Sequence, residues 1–201
     1  MPPDVLVIRV QEAKGPQMPE HVVDALKAVV NEAKAHPLIE SQSSTNYTPM
    51  ENALENIATI ARSHEGGLAE QIAKTVEIGR SRADSWNSRY LDRRTALETL
   101  GHLLDGAQMG DRQRALRASS AIAKYALDHA ESRPPSSSSP WNTNLYAGAR
   151  QVKSLLGPYS SPDAKAASSM ASDFLSQGSG TYYEAVARGK STMETIRRLL
   201  G

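Results

Sequence analysis

Five arginines crowd an aromatic pair: Arg80, Arg82, Arg89, Arg93 and Arg94 lie around Trp86 and Tyr90. On a helix, Arg82, Trp86, Arg89 and Arg93 follow at steps of four, three and four, so they share one face. A guanidinium binds carboxylate or phosphate through a planar fork and stacks on aromatic rings. Trp, Tyr and Arg also dominate the energy of protein interfaces. Arg112, Arg114 and Arg117 continue the basic region into the next helical segment. Asp84, Asp92 and Glu98 dilute it, and the formal net charge is only +1, which suits a protein partner better than a phosphate backbone. The expected binding residues are therefore Arg82, Trp86, Arg89, Tyr90 and Arg93. The plainest competing reading is a structural helix surface with Trp86 buried.

Other constellations carry less. Glu98, His102 and Asp105 fall at helical spacings of four and three, so they could share a face, but a metal needs a further ligand from elsewhere. A surface charge cluster is the preferred reading. Gly189-Lys190-Ser191 ends like a phosphate-binding loop, yet the glycine required five residues earlier is Glu184. The segment also reads as the middle of a helix, whose amides are already engaged. Ser136–Ser139 is a serine run with no oriented base, and a linker holds none in place. His64 stands at a helix end, where a cation eases the helix dipole. With no catalytic constellation, the reading leans away from an enzyme and expects no cofactor and no metal.

The elements that must position these residues are mostly helices. Val22, Val23, Leu26, Val29, Val30 and Ala33 form an apolar stripe after Pro19, and Pro37 closes that helix by His36. Thr48-Pro49-Met50-Glu51 reads as a capping box, with Met50, Leu54, Ile57 and Ala61 inward and Gly66-Gly67 as the end. Leu68–Asp105 stays helical but loses phase near Gly79–Ser85, which predicts a break there. Asp111 is expected to cap a helix running to about Glu131, Asn144 the next, and Ser161-Pro162-Asp163 the one after. Thr181-Tyr182-Tyr183-Glu184 is a second capping box, opening a last helix with Val186, Gly189, Met193, Ile196 and Leu200 on one face. Val5–Val10 is β-branched and reads as the one strand. It finds only Leu38–Tyr47 as a weak partner, so pairing in a homodimer, or with another protein's sheet edge, is the preferred expectation.

These readings give a mostly α fold, a bundle of six to eight helices with one short N-terminal strand. The expected organisation is a strand and main bundle over residues 1–132, a Pro/Ser-rich linker or loop over 133–144, and three C-terminal helices over 145–201 packed on the same bundle. Aromatics make up 5% of the 201 residues and cysteine is absent. The core must then come from aliphatic residues and alanine, and disulfide, thiolate-zinc and cysteine-nucleophile chemistry is excluded. No apolar run approaches a membrane span, and Met1–Val10 lacks the features of a secretory signal. The expected protein is soluble and cytoplasmic, with export through an uncleaved signal left open. Residues 1–65 carry nine acids and five bases against thirteen and eighteen in the remainder; the plain reading is ordinary solvated helix faces. The expected function is a non-enzymatic protein–protein interaction module, whether adaptor, regulator or secreted effector. The alternatives are a nucleic-acid-binding or transcription-linked protein using the Arg80–Arg117 region, and an enzyme whose site assembles from dispersed residues.

Overall fold

Proline, glycine and capping side chains set the helix boundaries that periodicity alone leaves open. The first helix, α1 (Glu20–Ala35), begins just after Pro19, whose carbonyl accepts from the amides of Val22 at 2.9 Å and Val23 at 3.1 Å. Seven more follow: α2 (Thr48–Arg62), α3 (Gly67–Arg80), α4 (Trp86–Asp105), α5 (Asp111–Asp128), α6 (Asn144–Leu156), α7 (Pro162–Ser176) and α8 (Tyr182–Leu200). The computed structural model describes residues 18–35, 48–81, 86–130, 143–177 and 180–201. Within them the chain is a bundle of eight helices and no strand. The expected strand Val5–Val10, its candidate partner Leu38–Tyr47 and residues 133–142 of the expected Pro/Ser linker lie outside the described residues, while Thr143 and Asn144, at the end of that linker, belong to the start of α6.

Several local expectations shift by a residue or change partner. Glycine does not close α2, which ends at Arg62; instead Gly66, at φ 106°, sits at the start of α3 in backbone that L side chains rarely adopt. Asp111 is the first residue of α5 rather than its cap. Its carboxylate turns back to Arg114, and α5 stops at Asp128 rather than near Glu131. Thr143, not Asn144, caps α6: its hydroxyl accepts from the Tyr146 amide, while the Asn144 amide donates to the His129 carbonyl at 2.9 Å. At α8 both bonds of the capping box form as the sequence predicts. The break between α3 and α4 also falls where helical phase is lost.

The buried apolar residues form two clusters. One is built by α1–α4, joined by Ala118 of α5 and Leu155 of α6. The other is built by α5–α8. Helix α6 links them, packing on α5 and α7 and also reaching α3 and α4. Where α6 meets α3 and α4 the contact is strongly polar. Gln151 Nε2 donates to the Thr75 carbonyl at 3.2 Å, and Arg150 pairs with Asp92. Thr75, Asp92, Thr95, Thr99, Ser119 and Gln151 are all buried. Small residues let the helices close up: a Cβ on Gly79 of α3 would lie 2.5 Å from Ala96 Cβ of α4.

Candidate interaction surface

Helix α4 carries most of the residues picked from sequence, and it turns several of them inward. Arg82 lies outside the described residues, and Trp86 is the first residue of α4. Arg89 and Tyr90 are half-buried on α4. Arg93 is buried, its side chain 7% exposed. Its Nε donates to Glu51 Oε1 of α2 at 2.5 Å, and its Nη1 donates to the Arg89 carbonyl at 3.1 Å. Arg80 joins the same seam through Glu55 and Glu51. Arg94 donates to the Lys34 carbonyl at 2.6 Å and pairs with Glu98 at 3.2 Å. The arginine stems thus pack between helices while the heads find carboxylates at the edge. Helical spacing correctly put Arg89 and Arg93 on one side of α4. It could not tell that Glu51, far away in sequence, waits on that side.

The charge clusters elsewhere are likewise structural ties. Glu98 is held by Lys34 at 2.5 Å as well as by Arg94, and Asp105 pairs with Lys27 at 3.6 Å. Between them, burial pulls the His102 imidazole below its ordinary pKa, with Glu98 opposing. Burial, reinforced by Glu98, pushes the Tyr125 phenol up to about 12. Among the described residues no group of three His, Asp or Glu side chains could hold a metal ion. Arg114, read from sequence as part of a basic surface, is 2% exposed. It donates to Gln71 Oε1 and Asp111 Oδ1, each at 2.5 Å, and to the Met109 carbonyl at 3.0 Å. Gln71 in turn donates to the Asp111 carbonyl and Tyr159 Oη, both at 2.8 Å, so one buried guanidinium pins α3, the α4–α5 turn and the start of α7's approach. Gly189-Lys190-Ser191 lies inside α8. There Gly189 lets the helix meet Phe174, whose Cζ would stand 2.8 Å from an added Cβ.

Among the described residues an outward-facing cleft lies between α5 and the last turn of α8, beside a second hollow where the start of α5 meets Ser161-Pro162-Asp163. The cleft has a volume of ≈ 560 Å³ and an apolar floor that includes Leu116, Ala121 and Leu200. Arg117, Lys124 and Arg197 stand around it, and among the described residues no Asp or Glu side chain lines it. Lys124 pairs with Asp128, and Arg197 with Glu194 at 2.9 Å. Hydrogen bonds from Arg197 and Arg198 hold the Glu194 carboxyl down at about 2. Arg117 makes no ion pair among the described residues and lies 3.9 Å from the Met109 sulfur. Of the three cations at the cleft, the sequence pattern singles out Arg117 alone. The local signal was available, since Gln113, Arg117, Ser120 and Lys124 recur at steps of four, three and four. Their meeting with α8 is a tertiary fact that no local pattern carries.

Among the described residues no helix is long and apolar enough to cross a membrane. Compared with family models, curated proteins and solved structures, the chain matches none of them.

Proposed function

We propose that this protein is a non-enzymatic protein–protein interaction module, an adaptor, regulator or effector that acts by binding. The observation that carries this reading is the α5–α8 cleft, which joins an apolar floor to a cationic rim. Protein interfaces have that composition, an apolar centre with charge around it. The nucleic-acid reading draws less support. Arg80, Arg93, Arg94 and Arg114 each face a carboxylate within the fold, and phosphate contact needs cations free to replace counterions. Arg89 and Tyr90, half-buried on α4, with Tyr90 packed on the α1–α4 cluster, keep some surface that the same partner could touch.

The test compares two measurements on the purified full chain. Chemical cross-linking in native lysate, followed by mass spectrometry, is expected to give one or a few partners at fixed stoichiometry. Titration with duplex and single-stranded DNA is expected to show no affinity at physiological salt. Tight DNA binding that weakens steeply with salt, on the order of a thousandfold between 50 and 200 mM, would replace this reading with the nucleic-acid one.

A further inference from the structure

We infer that the α5–α8 cleft is a docking groove for an acidic amphipathic helix of a partner protein, a proposal that rests on the interaction-module reading and names its partner chemistry. Three features of the cleft select this occupant. The first is shape. The α5 side runs from Gln113 to Lys124, three helical turns or about 17 Å, which matches a short helix laid along it. The second is the floor. Leu116 and Leu200 are half-buried and line the cleft, so they can receive side chains laid into it. A partner helix would present apolar residues at spacings of three and four to such a groove. The third is charge. Arg117, Lys124 and Arg197 supply three cations; Lys124 and Arg197 lean on Asp128 and Glu194, which stand outside the lining, and Arg117 has no ion pair among the described residues.

The rim is built to exchange partners. Lys124 and Arg197 rest on Asp128 and Glu194, both on the outer surface. The exposed Lys124–Asp128 pair is screened by water, and Glu194, which Arg197 grips through two nitrogens, keeps Arg198 as a second partner when Arg197 turns away. An incoming glutamate can take the cation without leaving a buried charge behind. Arg117, whose Nη1 meets only the weak acceptor of the Met109 sulfur and makes no ion pair among the described residues, offers a cation at the middle of the groove. A nucleic acid would find too few cations here and an apolar floor it cannot use. A membrane would need protruding rather than half-buried leucines.

The probe is a fluorescein-labelled helical peptide of about 16 residues, with leucines on one face and glutamates flanking them. A second peptide carries lysines in place of the glutamates. The full chain is expected to bind the glutamate peptide with a dissociation constant below about 100 µM and to bind the lysine peptide at least tenfold more weakly. Arg117→Glu combined with Lys124→Glu should reverse that preference while leaving the circular dichroism spectrum unchanged and, with the Lys124–Asp128 pair lost, lowering the melting temperature by no more than about 4 °C. Leu200→Ala, a neutral change, should weaken both peptides. Equal binding of the two peptides, or binding of neither, overturns the proposal. So does a preference for phosphatidylserine vesicles or duplex DNA that the charge reversal abolishes, or a dimer seen by light scattering that it disperses. A cellular partner that cross-links equally well to the reversed variant overturns the groove and leaves the interaction-module reading standing. A chain that captures no partner at all overturns both.

Discussion

Replacing Gly79 by alanine isolates one term in the packing of α3 on α4. An exposed or tolerant helical glycine gains up to about 1 kcal/mol on becoming alanine, because the chain loses less conformational entropy on folding. At Gly79 the new methyl would start 2.5 Å from Ala96 Cβ and 3.4 Å from the Asp92 carbonyl oxygen. Neither neighbour is the end of a flexible side chain, so relief requires the two helices to part by about 1 Å. A gap of that size forfeits a quarter to a half of each contact's dispersion energy along the seam. Around it lie Ile72, Val76, Leu97 and Leu100, all buried in the same cluster. Overpacking of this kind costs about 1–3 kcal/mol, and the rigid neighbours place it toward the upper end. The net expectation is a loss of about 1.5–2 kcal/mol. For a chain of this length that lowers Tm by roughly 3–8 °C. Gly101→Ala in α4 is the internal control. An added Cβ there meets nothing closer than Lys34 Nζ at 3.9 Å, so only the propensity gain operates and Tm should rise by about 1–4 °C. Differential scanning calorimetry on the three proteins decides the matter. Two shifts of the same sign, or a Gly79 variant as stable as the parent, would refute the reading of this seam.

Three further outcomes follow from the ion pairs, the caps and the buried imidazole. Glu51→Ala should destabilise more than Arg93→Met, by about 1 kcal/mol in urea titrations: the first takes the Glu51 carboxylate from a buried guanidinium, whereas the second leaves a carboxylate that water can reach. Thr181→Ala removes the hydroxyl that accepts from the Glu184 amide, leaving the Thr181 amide to donate to the Glu184 carboxylate, and should cost about 1 kcal/mol, while Thr181→Ser should be close to neutral in the same assay. Because burial lowers the His102 pKa below 6.5, the unfolded chain takes up the proton first as pH falls. The contribution of His102 is therefore fully present above pH 6.5 and declines below it. Urea midpoints at pH 7.5 and 5.5 should differ less in His102→Gln than in the parent, and an unchanged difference would remove His102 from the account.

The helices were legible because their apolar residues recur with one period and their ends are marked by proline, glycine and hydroxyl residues. Thr181-Tyr182-Tyr183-Glu184 and the phase break after Arg80 reappear where the local pattern puts them. Capping was read less well wherever two acceptors compete. Thr143 and Asn144 are adjacent, and only the tertiary bond from Asn144 to the His129 carbonyl leaves the cap to Thr143. Asp111 had a nearer cation in Arg114. The direction of charged side chains was least legible. An arginine counts as polar in any pattern, yet Arg93 and Arg114 are buried because Glu51 and Gln71, more than forty positions back, meet them there. The cleft escaped for the same reason, since its two walls come from α5 and α8.

The polar contact of α6 with α3 and α4 bears on how the molecule breathes. Parting two apolar surfaces is resisted by the water they must meet, whereas threonine, glutamine and an aspartate–arginine pair regain hydration when they part. The bundle should therefore open more readily along this layer than within either apolar cluster, and its amides should exchange with solvent as two cooperative units rather than one. Hydrogen exchange followed by mass spectrometry reads this directly: amides of α2 and α3 should share one protection free energy and those of α7 and α8 another. A single value across all of them would mean the layer couples the halves as tightly as a continuous apolar core. With two units, a destabilising change in one half loosens that half alone, so the α5–α8 cleft keeps its shape while sequence in α1–α4 drifts.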